Sequence, residues 1–381
     1  MKRFKVAALG AVFLLGACDT VKLYADLPKD KNVLFWTQDQ RDNGFRALEK
    51  LATVRNITAG GDVRVFGQGT PIKLDMDIDA YMKSQRNAGL IIVQDNKVRF
   101  EKYALDYGAE GRWTSFSVAK SFTSTLVGAA VKDGFIKSLD DKVTQYIPSL
   151  RGSVYDDVTV RQLLTMTSGV KWNEDYADPK SDVAQFGLQK PVPGEDITVS
   201  YMKKLTREAP AGSKWVYKTG ETNLIGVLVS SATGKKLSDY LSEKVWKPYG
   251  MEADAFWILG DTGHEISGCC ISARLRDYAR FGQFVMGGGK NVVPDGWFAA
   301  ATTKQADIAQ PGRGYGYQWW TYDDGSYSAQ GIFGQGIFID PKRRLVIASN
   351  GNWPKATDPD TVGAERERFY KAVQAAMDAG R

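Results

Sequence analysis

An uncharged run of ten residues, Phe122–Val131, constrains the fold of this chain more than any other feature. Its apolar and small residues leave no charged face, and a helix that is apolar nearly all round is a buried helix. Lys132-Asp133-Gly134 follows, where a glycine can adopt the left-handed conformation that ends many helices. The sequence therefore predicts a helix buried along its length at the centre of the protein.

Two polar side chains stand at the N-terminal tip of this predicted helix. Ser117 and Lys120 are three residues apart, so in a helix that begins near Ser117 they share one face. A lysine held away from water has a lowered pKa and can take the proton of a serine hydroxyl, which is otherwise a poor nucleophile. The free N–H groups of a helix N-terminus suit a developing oxyanion. The pattern predicts nucleophilic catalysis by a Ser-Lys centre.

Two other residues compete for a catalytic role. Ser168 begins a second S-x-x-K pattern, but this copy contains a glycine and follows a predicted helix, so we interpret it as a turn. His264 is the only histidine of the chain, and a Ser-His-Asp triad would require it. Because a Ser-Lys centre needs no histidine, the composition favours that centre. His264, in a polar stretch, is either a surface residue or a substrate contact.

The first 17 residues are predicted to be a secretion signal. A basic start with Lys2, Arg3 and Lys5 precedes an apolar run over Val6–Leu15, which is the order found in signal peptides. These three residues supply half of the formal net charge of +6, so the rest of the chain is only mildly basic. Without a basic stripe interleaved with aromatic residues, we expect no nucleic-acid partner.

The predicted signal ends in Leu15-Gly16-Ala17-Cys18, which resembles a bacterial lipobox. The resemblance implies that Cys18 is lipidated and anchors the protein to a membrane. A plain secretory signal and a short membrane anchor are the alternatives. We expect removal of residues 1–17, a tether over residues 18–32, and a lipid-anchored protein in the bacterial cell envelope that faces the periplasm, on the inner or the outer membrane.

The remaining cysteines, Cys269 and Cys270, are adjacent in the chain. A bridge between adjacent cysteines is strained and rare, so we interpret both as small buried residues. One histidine and no C-x-x-C pattern leave no metal-binding cluster in the sequence. We therefore expect neither a metal nor an organic cofactor.

Predicted strands near both ends of the chain bracket a largely helical middle. Leu90–Val93 is a short apolar run followed by a turn signal at Asp95-Asn96, which is typical of a buried strand entering a hairpin. Three further strands are predicted towards the C-terminus, at Tyr327–Ile332, Gly336–Ile339 and Leu345–Asn350. We expect them to join the hairpin in one antiparallel sheet.

The predicted fold class is therefore α/β, of the α+β type, with an antiparallel sheet flanked by helices. One domain covers residues 33–375 and includes an inserted, mainly helical lobe at approximately 139–300. Ser272 is predicted to cap a helix that runs through Met286. A substrate site would lie between the two lobes.

The order of these motifs resembles the serine β-lactamase and penicillin-recognising superfamily, most of all its 6-aminohexanoate-dimer hydrolase and esterase branch. The resemblance rests on Ser117-Val118-Ala119-Lys120 and on Trp215–Gly226, where Tyr217 matches the catalytic tyrosine of the family. It implies an acyl-enzyme on Ser117, with Lys120 and Tyr217 as an acid–base pair. A phenol beside a lysine cation is easier to ionise, which fits this role.

The chain departs from the class C β-lactamases within this superfamily at two motifs. They carry Tyr-x-Asn, whereas this chain has Tyr217-Lys218-Thr219. Their late-strand K-T-G corresponds to Ala329-Gln330-Gly331-Ile332, which lacks the lysine that holds a β-lactam carboxylate. The resemblance implies that the N–H groups of Ile332 and Ser117 form the oxyanion hole. A register nearer Ile337 and an ordinary glycine-containing strand remain open.

Several residues are implied to contact substrate. The loop Trp172–Tyr176 resembles a segment that closes over substrate in the aminohexanoate branch, with contacts from Tyr176 and Asp175, although both could be ordinary surface residues. The other implied contacts are Gln330, Gly331 and His264.

We therefore expect a lipid-anchored serine hydrolase that cleaves a small ester or amide. A β-lactamase or a D,D-peptidase acting on cell-wall substrates is one alternative, and the missing asparagine and lysine count against it. A non-catalytic envelope-binding lipoprotein is the other. Retention of Ser117, Lys120 and Tyr217 counts against it, because burying a lysine beside a serine costs stability.

Overall fold

The computed structural model describes residues 27–29 and 32–381. The predicted signal at residues 1–17, the lipidation site Cys18 and most of the predicted tether lie outside these described residues. Over the part of the chain that is described, no helix is both long and apolar enough to cross a membrane.

The strands fall into two sheets. Numbered along the described chain, they are β1 (Val54–Ile57), β2 (Gly67–Gln68), β3 (Asn87–Gln94), β4 (Lys97–Tyr103), β5 (Trp113–Thr114), β6 (Ala255–Ile258), β7 (Ile271–Ala273), β8 (Arg313–Tyr315), β9 (Trp320–Tyr322), β10 (Tyr327–Gln330), β11 (Gly336–Asp340) and β12 (Leu345–Gly351). The larger sheet has the order β2-β4-β3-β12-β11-β10-β9-β8, and the smaller one the order β1-β6-β7-β5.

The helices are numbered in the same way. They are α1 (Gln38–Gly44), α2 (Leu48–Leu51), α3 (Ile78–Ser84), α4 (Ala119–Lys132), α5 (Val143–Tyr146), α6 (Val160–Leu164), α7 (Asp182–Phe186), α8 (Ile197–Met202), α9 (Thr219–Thr233), α10 (Leu237–Leu241), α11 (Lys247–Tyr249), α12 (Leu275–Met286), α13 (Trp297–Ala301) and α14 (Ala364–Asp378). Short 3₁₀ turns include Phe116–Val118 and Ile332–Gly334, and π-helical turns cover Ser242–Trp246 and Pro359–Gly363.

The larger sheet confirms the predicted joining of the two ends of the chain. Strand β12 pairs with β3 in antiparallel register, with Ala348 opposite Ile91. Ile91 belongs to the hydrophobic cluster on the face of the sheet that is covered by α12. Its neighbour Leu90 belongs to the cluster on the opposite face, with residues of α3 and α14. This alternation is the period-two pattern of a strand that is covered on both sides.

The smaller sheet was not predicted from the sequence. Its strand β7 contains Ser272, which therefore does not cap a helix, and α12 begins at Leu275 instead. Ser272 lies opposite Thr114 of β5 and opposite Phe256 of β6. Pairing with two strands that are distant in sequence overrides the local capping signal.

Helix α4 is the buried central helix that the sequence predicts. Every residue from Ala119 to Ala130 is buried, and the ring of Phe122 stacks on Phe281 of α12 with 3.6 Å between the ring centroids. The segment ends at Gly134, which has a φ of +80°. The helix thus packs against its neighbours on all sides.

The N-terminal tip of α4 lies between the two sheets. Ser115 donates its backbone N–H to the carbonyl of Ile271 in the smaller sheet, over 2.7 Å. On the other side, a Cβ atom added to Gly331 would lie 2.5 Å from the carbonyl oxygen of Ser115. Only a glycine permits this approach, so the end of β10 is held directly against the segment that carries Ser117.

Candidate active site

Ser117 lies in a 3₁₀ turn whose backbone is strained at the preceding residue. Phe116 has a φ of +42°, and Phe333, beside the end of β10, has a φ of +61°. Bulky residues adopt such values only where the surrounding structure imposes them. The rings of Phe45, Phe116 and Phe333 pack together with centroids 4.9 to 5.5 Å apart. This aromatic trio holds the two strained segments next to each other.

Lys120 is buried, with 1% of its surface exposed, and it has three hydrogen-bond acceptors. Its Nζ lies 3.1 Å from Ser117 Oγ, 3.0 Å from Thr219 Oγ1 and 2.6 Å from the carbonyl oxygen of Gly268. Burial lowers the pKa of Lys120 to about 8, and the negative charge of Glu174 partly opposes that shift. The lysine can therefore be neutral at mildly alkaline pH.

The acceptors of Lys120 define where its lone pair points when the lysine is neutral. A neutral amine has two N–H donors and one lone pair. The carbonyl oxygen of Gly268 can only accept a hydrogen bond, and the backbone N–H of Gly268 donates to Asn223 Oδ1 over 2.8 Å. If Gly268 and Thr219 take the two donors, the lone pair faces Ser117 Oγ. The arrangement can therefore remove the proton of the serine hydroxyl.

Tyr217 stands beside this pair. Lys120 Nζ lies 5.2 Å from the centroid of the Tyr217 ring, and the Tyr217 hydroxyl is close enough to Ser117 to interact with it. Burial raises the pKa of Tyr217, while the Ser117 contact lowers it and Glu174 raises it. The sequence-based expectation that Lys120 eases ionisation of this phenol was therefore wrong. Tyr217 is held as a neutral phenol, the form that can donate a proton.

The segments that carry the backbone N–H groups of Ser117 and Ile332 lie against each other. The N–H groups of Ser117 and Ile332 make no hydrogen bond to another backbone group among the described residues, whereas Gly331 and Phe333 donate to Gln335 and Ala356 at 2.9 Å. Ile332 begins the 3₁₀ turn that follows β10. Because Gly331 contacts Ser115, this geometry suits an oxyanion hole made of the N–H groups of Ser117 and Ile332.

Thr219 occupies the place where the class C motif has asparagine. Its Oγ1 accepts from Lys120, and both its hydroxyl and its backbone N–H donate to Glu174, the latter over 3.0 Å. Sequence reasoning did not single out Glu174. Its only signal in the sequence was its position between Trp172 and Tyr176 in the substrate loop.

The two predicted substrate contacts of the 172–176 loop, Tyr176 and Asp175, have different surroundings in the structure. Tyr176 donates its hydroxyl to Glu174 over 2.7 Å and lies close enough to Tyr217 and Thr219 to interact with both. Asp175 instead accepts from the backbone N–H of Ala177, 2.9 Å away, within its own turn. Only the first of the two therefore joins the group around Lys120.

The remaining predicted substrate residues have other partners. Gln330 donates to Ser328 and Tyr322, 2.8 and 3.0 Å away, and accepts from Arg366 at 2.8 Å. His264 forms a close pair with Asp196, which raises the pKa of the imidazole. No contact joins His264 to Ser117 or Lys120 among the described residues.

The second S-x-x-K copy has the structural setting of a turn. Ser168 is fully buried, donates to Glu221 and accepts from the N–H of Val170 at 3.1 Å. Gly169 has a φ of +74°, and Lys171 is exposed. This copy therefore holds no lysine near its serine hydroxyl.

The two adjacent cysteines follow Gly268, the acceptor of Lys120. The sulfur atoms of Cys269 and Cys270 lie against each other; Cys270 is buried and Cys269 is partly buried, where the sequence predicted two small buried residues. Cys270 has a φ of +81°. Among the residues described, no group of His, Cys, Asp and Glu could hold a metal ion.

Comparison with known proteins agrees with this fold. The family model named beta-lactamase matches residues 74–370, which is more than half of the chain, so the chain belongs to the β-lactamase family and is a hydrolase of that family. A curated relative, the 6-aminohexanoate-dimer hydrolase of Paenarthrobacter ureafaciens, is 30% identical over 305 residues. The match covers 75% of this chain and 76% of the relative.

Solved structures show the same architecture. A provisionally assigned 6-aminohexanoate-dimer hydrolase from Bacillus anthracis superposes with a TM-score of 0.80 at 21% identity, over 93% of this chain and 99% of that chain. A D-stereospecific amidohydrolase from a Streptomyces species superposes with a TM-score of 0.60 at 20% identity, over 80% and 100%. These likenesses confirm the predicted fold class, and the family match confirms the predicted superfamily.

The lowered pKa of Lys120 generates a prediction for the pH dependence of Ser117 reactivity. Lys120 acts as a base only when neutral, so reactivity should rise with pH through about 8 and level off above it. The measurement is kcat/KM for a p-nitrophenyl ester between pH 6 and 10, because kcat/KM reports the pKa of the free enzyme. A value of kcat/KM that still rises steeply at pH 10, as the ordinary lysine pKa of 10.5 would give, would contradict this prediction.

Proposed function

We propose that this protein is a serine hydrolase that cleaves a small ester or amide through an acyl-enzyme on Ser117. The observation that carries the proposal is the 3.1 Å contact between Lys120 Nζ and Ser117 Oγ, made by a buried lysine. A merely structural lysine would gain more from a carboxylate partner than from three neutral acceptors.

In the proposed acylation, neutral Lys120 takes the proton of Ser117 while Oγ attacks the carbonyl carbon of the substrate. The carbonyl electron pair moves onto oxygen, where the N–H groups of Ser117 and Ile332 stabilise the negative charge. When the carbonyl re-forms, the bond to the leaving group breaks. Tyr217 gives its proton to the leaving oxygen or nitrogen and recovers one from the Lys120 ammonium, which returns to the neutral amine.

Deacylation uses the same groups with water as the nucleophile. Water attacks the acyl carbonyl, and its proton passes to Lys120. The acyl bond to Ser117 Oγ then breaks, and Oγ recovers a proton from Lys120. The sequence releases the acid product and regenerates the starting enzyme, so the chemistry needs no cofactor.

Substitution of the proposed nucleophile tests this mechanism. Ser117→Ala should lower kcat/KM for a short-chain p-nitrophenyl ester by at least about 1,000-fold, and Lys120→Ala by about 100- to 10,000-fold. Ser213→Ala is the matched control, because Ser213 is exposed and bonds only within its own turn. Retention of esterase activity by Ser117→Ala would contradict the proposal.

The surroundings of β10 favour esters and amides over β-lactams. Ala329 stands where the class C enzymes have the lysine of their K-T-G motif. The neighbouring Gln330 forms hydrogen bonds with Tyr322 and Arg366. A charged hydrogen bond to the β-lactam carboxylate, worth about 1.5–3 kcal/mol, is therefore missing at this position. We expect kcat/KM for a chromogenic cephalosporin to be at least about 10-fold below that for the p-nitrophenyl ester. The opposite ranking would favour the β-lactamase or D,D-peptidase alternative.

We also propose that Cys18 carries a lipid that anchors the protein in the cell envelope. The support is the sequence around Cys18, which follows a basic and apolar signal. In a bacterial host, the full chain should fractionate with membranes and enter the detergent phase, whereas Cys18→Ala should not gain the lipid mass. Equal fractionation of both forms, without a lipid mass on either, would contradict the anchor.

A further inference from the structure

The carboxylate of Glu174 accepts hydrogen bonds from four donors close to Lys120. They are the backbone N–H of Thr219 at 3.0 Å, the Tyr176 hydroxyl at 2.7 Å, and the Thr219 hydroxyl and Trp172 indole N–H at shorter range. Two donors for each oxygen nearly exhaust the accepting capacity of a carboxylate. The group is therefore held in one orientation rather than free to rotate.

The Thr219 hydroxyl connects this carboxylate to the lysine. A hydroxyl has a single hydrogen, and here that hydrogen is donated to Glu174. A lone pair of the same oxygen then faces Lys120 Nζ, 3.0 Å away. Thr219 can accept from Lys120 in this arrangement, but it cannot donate to it.

This direction matters because a neutral lysine has one lone pair. If the Thr219 hydrogen could turn towards Nζ, it would compete with the Ser117 hydroxyl for that lone pair. Glu174 prevents this competition by taking the hydrogen. The Ser117 hydroxyl, whose oxygen lies 3.1 Å from Nζ, can then donate its hydrogen to that lone pair.

We propose that Glu174 is a positioning residue that orients the Thr219 hydroxyl and thereby reserves the lone pair of Lys120 for Ser117. This inference rests on the proposed function, since it assigns Lys120 the role of base. Glu174 contacts neither the reacting atoms nor Lys120 directly. It acts through Thr219, the residue that replaces the asparagine of the related Tyr-x-Asn motif.

The charge of Glu174 gives the proposal a measurable signature. Burial lowers the pKa of Lys120, and the one charged group that opposes this shift is Glu174. The other titratable groups near Glu174 are Tyr176, Tyr217 and Tyr315, whose pKa values burial raises, and all three are neutral. The Lys218–Glu221 pair is internally balanced, with 3.8 Å between its charged atoms.

Two substitutions separate the charge of Glu174 from its geometry. Glu174→Gln removes the charge and replaces one accepting oxygen with a donor, so the Thr219 hydrogen is no longer fixed. Glu174→Asp keeps the charge but is one methylene shorter, so its contact with Thr219 lengthens. Glu243→Gln serves as the matched control, because it makes the same change in an exposed pair with Lys235.

The readout is the rate constant for labelling of Ser117 by a fluorophosphonate, measured from pH 6 to 10. This reaction depends on Ser117 and Lys120 but on no particular substrate. For Glu174→Gln we expect the acid limb to move to lower pH by on the order of one unit. We expect the plateau above it to fall by about 10- to 100-fold. For Glu174→Asp the plateau should fall while the limb stays near that of the unsubstituted protein.

A structural role alone would reduce the labelled fraction without moving the limb, so an unmoved limb in folded Glu174→Gln overturns the inference. If that variant does not fold, Glu174→Asp carries the test, and an undiminished plateau in folded Glu174→Asp overturns the inference equally. Labelling of the unsubstituted protein, with either of these results, leaves the proposed function standing. Absence of labelling in the unsubstituted protein at every pH would overturn both.

Discussion

Burial of the Lys120 amine among neutral acceptors is the interaction on which the rest of the site depends. An ammonium group removed from water without a directly paired carboxylate is destabilised, and this lowers its pKa to about 8. The acceptors Ser117, Thr219 and Gly268 satisfy its donors but do not neutralise its charge. The carboxylate of Glu174, which reaches Lys120 only through Thr219, partly offsets the lowering of the Lys120 pKa. In the proposed function, the neutral form of this amine is the base that takes the proton of Ser117.

The fold supplies this environment by bringing distant parts of the chain to the tip of α4. The smaller sheet holds Ser115 from one side, and Gly331 at the end of β10 presses on it from the other. The packed rings of Phe45, Phe116 and Phe333 maintain the two strained backbones that present the N–H groups of Ser117 and Ile332. The geometry is therefore set before any substrate binds, as electrostatic catalysis requires.

The sequence predicted those helices and strands whose residues show the expected run of apolar side chains. The uncharged run after Lys120 predicted α4, and the short apolar run at Leu90–Val93 predicted β3, which pairs with the predicted strand β12. Sequence alone could not show the smaller sheet, because strands as short as β5 and β7 exist only through pairing with each other. It also missed Glu174, whose partner Thr219 lies 45 residues further along the chain. The raised pKa of Tyr217 comes mainly from burial, which no spacing reveals.

The most direct test of the account is the site of covalent modification. The soluble chain, residues 19–381, would be treated with a fluorophosphonate probe, and the adduct located by intact-mass and peptide mass spectrometry beside Ser117→Ala. The account predicts one adduct per chain, on the peptide that contains Ser117, and none on the variant. An adduct that persists in Ser117→Ala, or a folded protein that forms none, would contradict it.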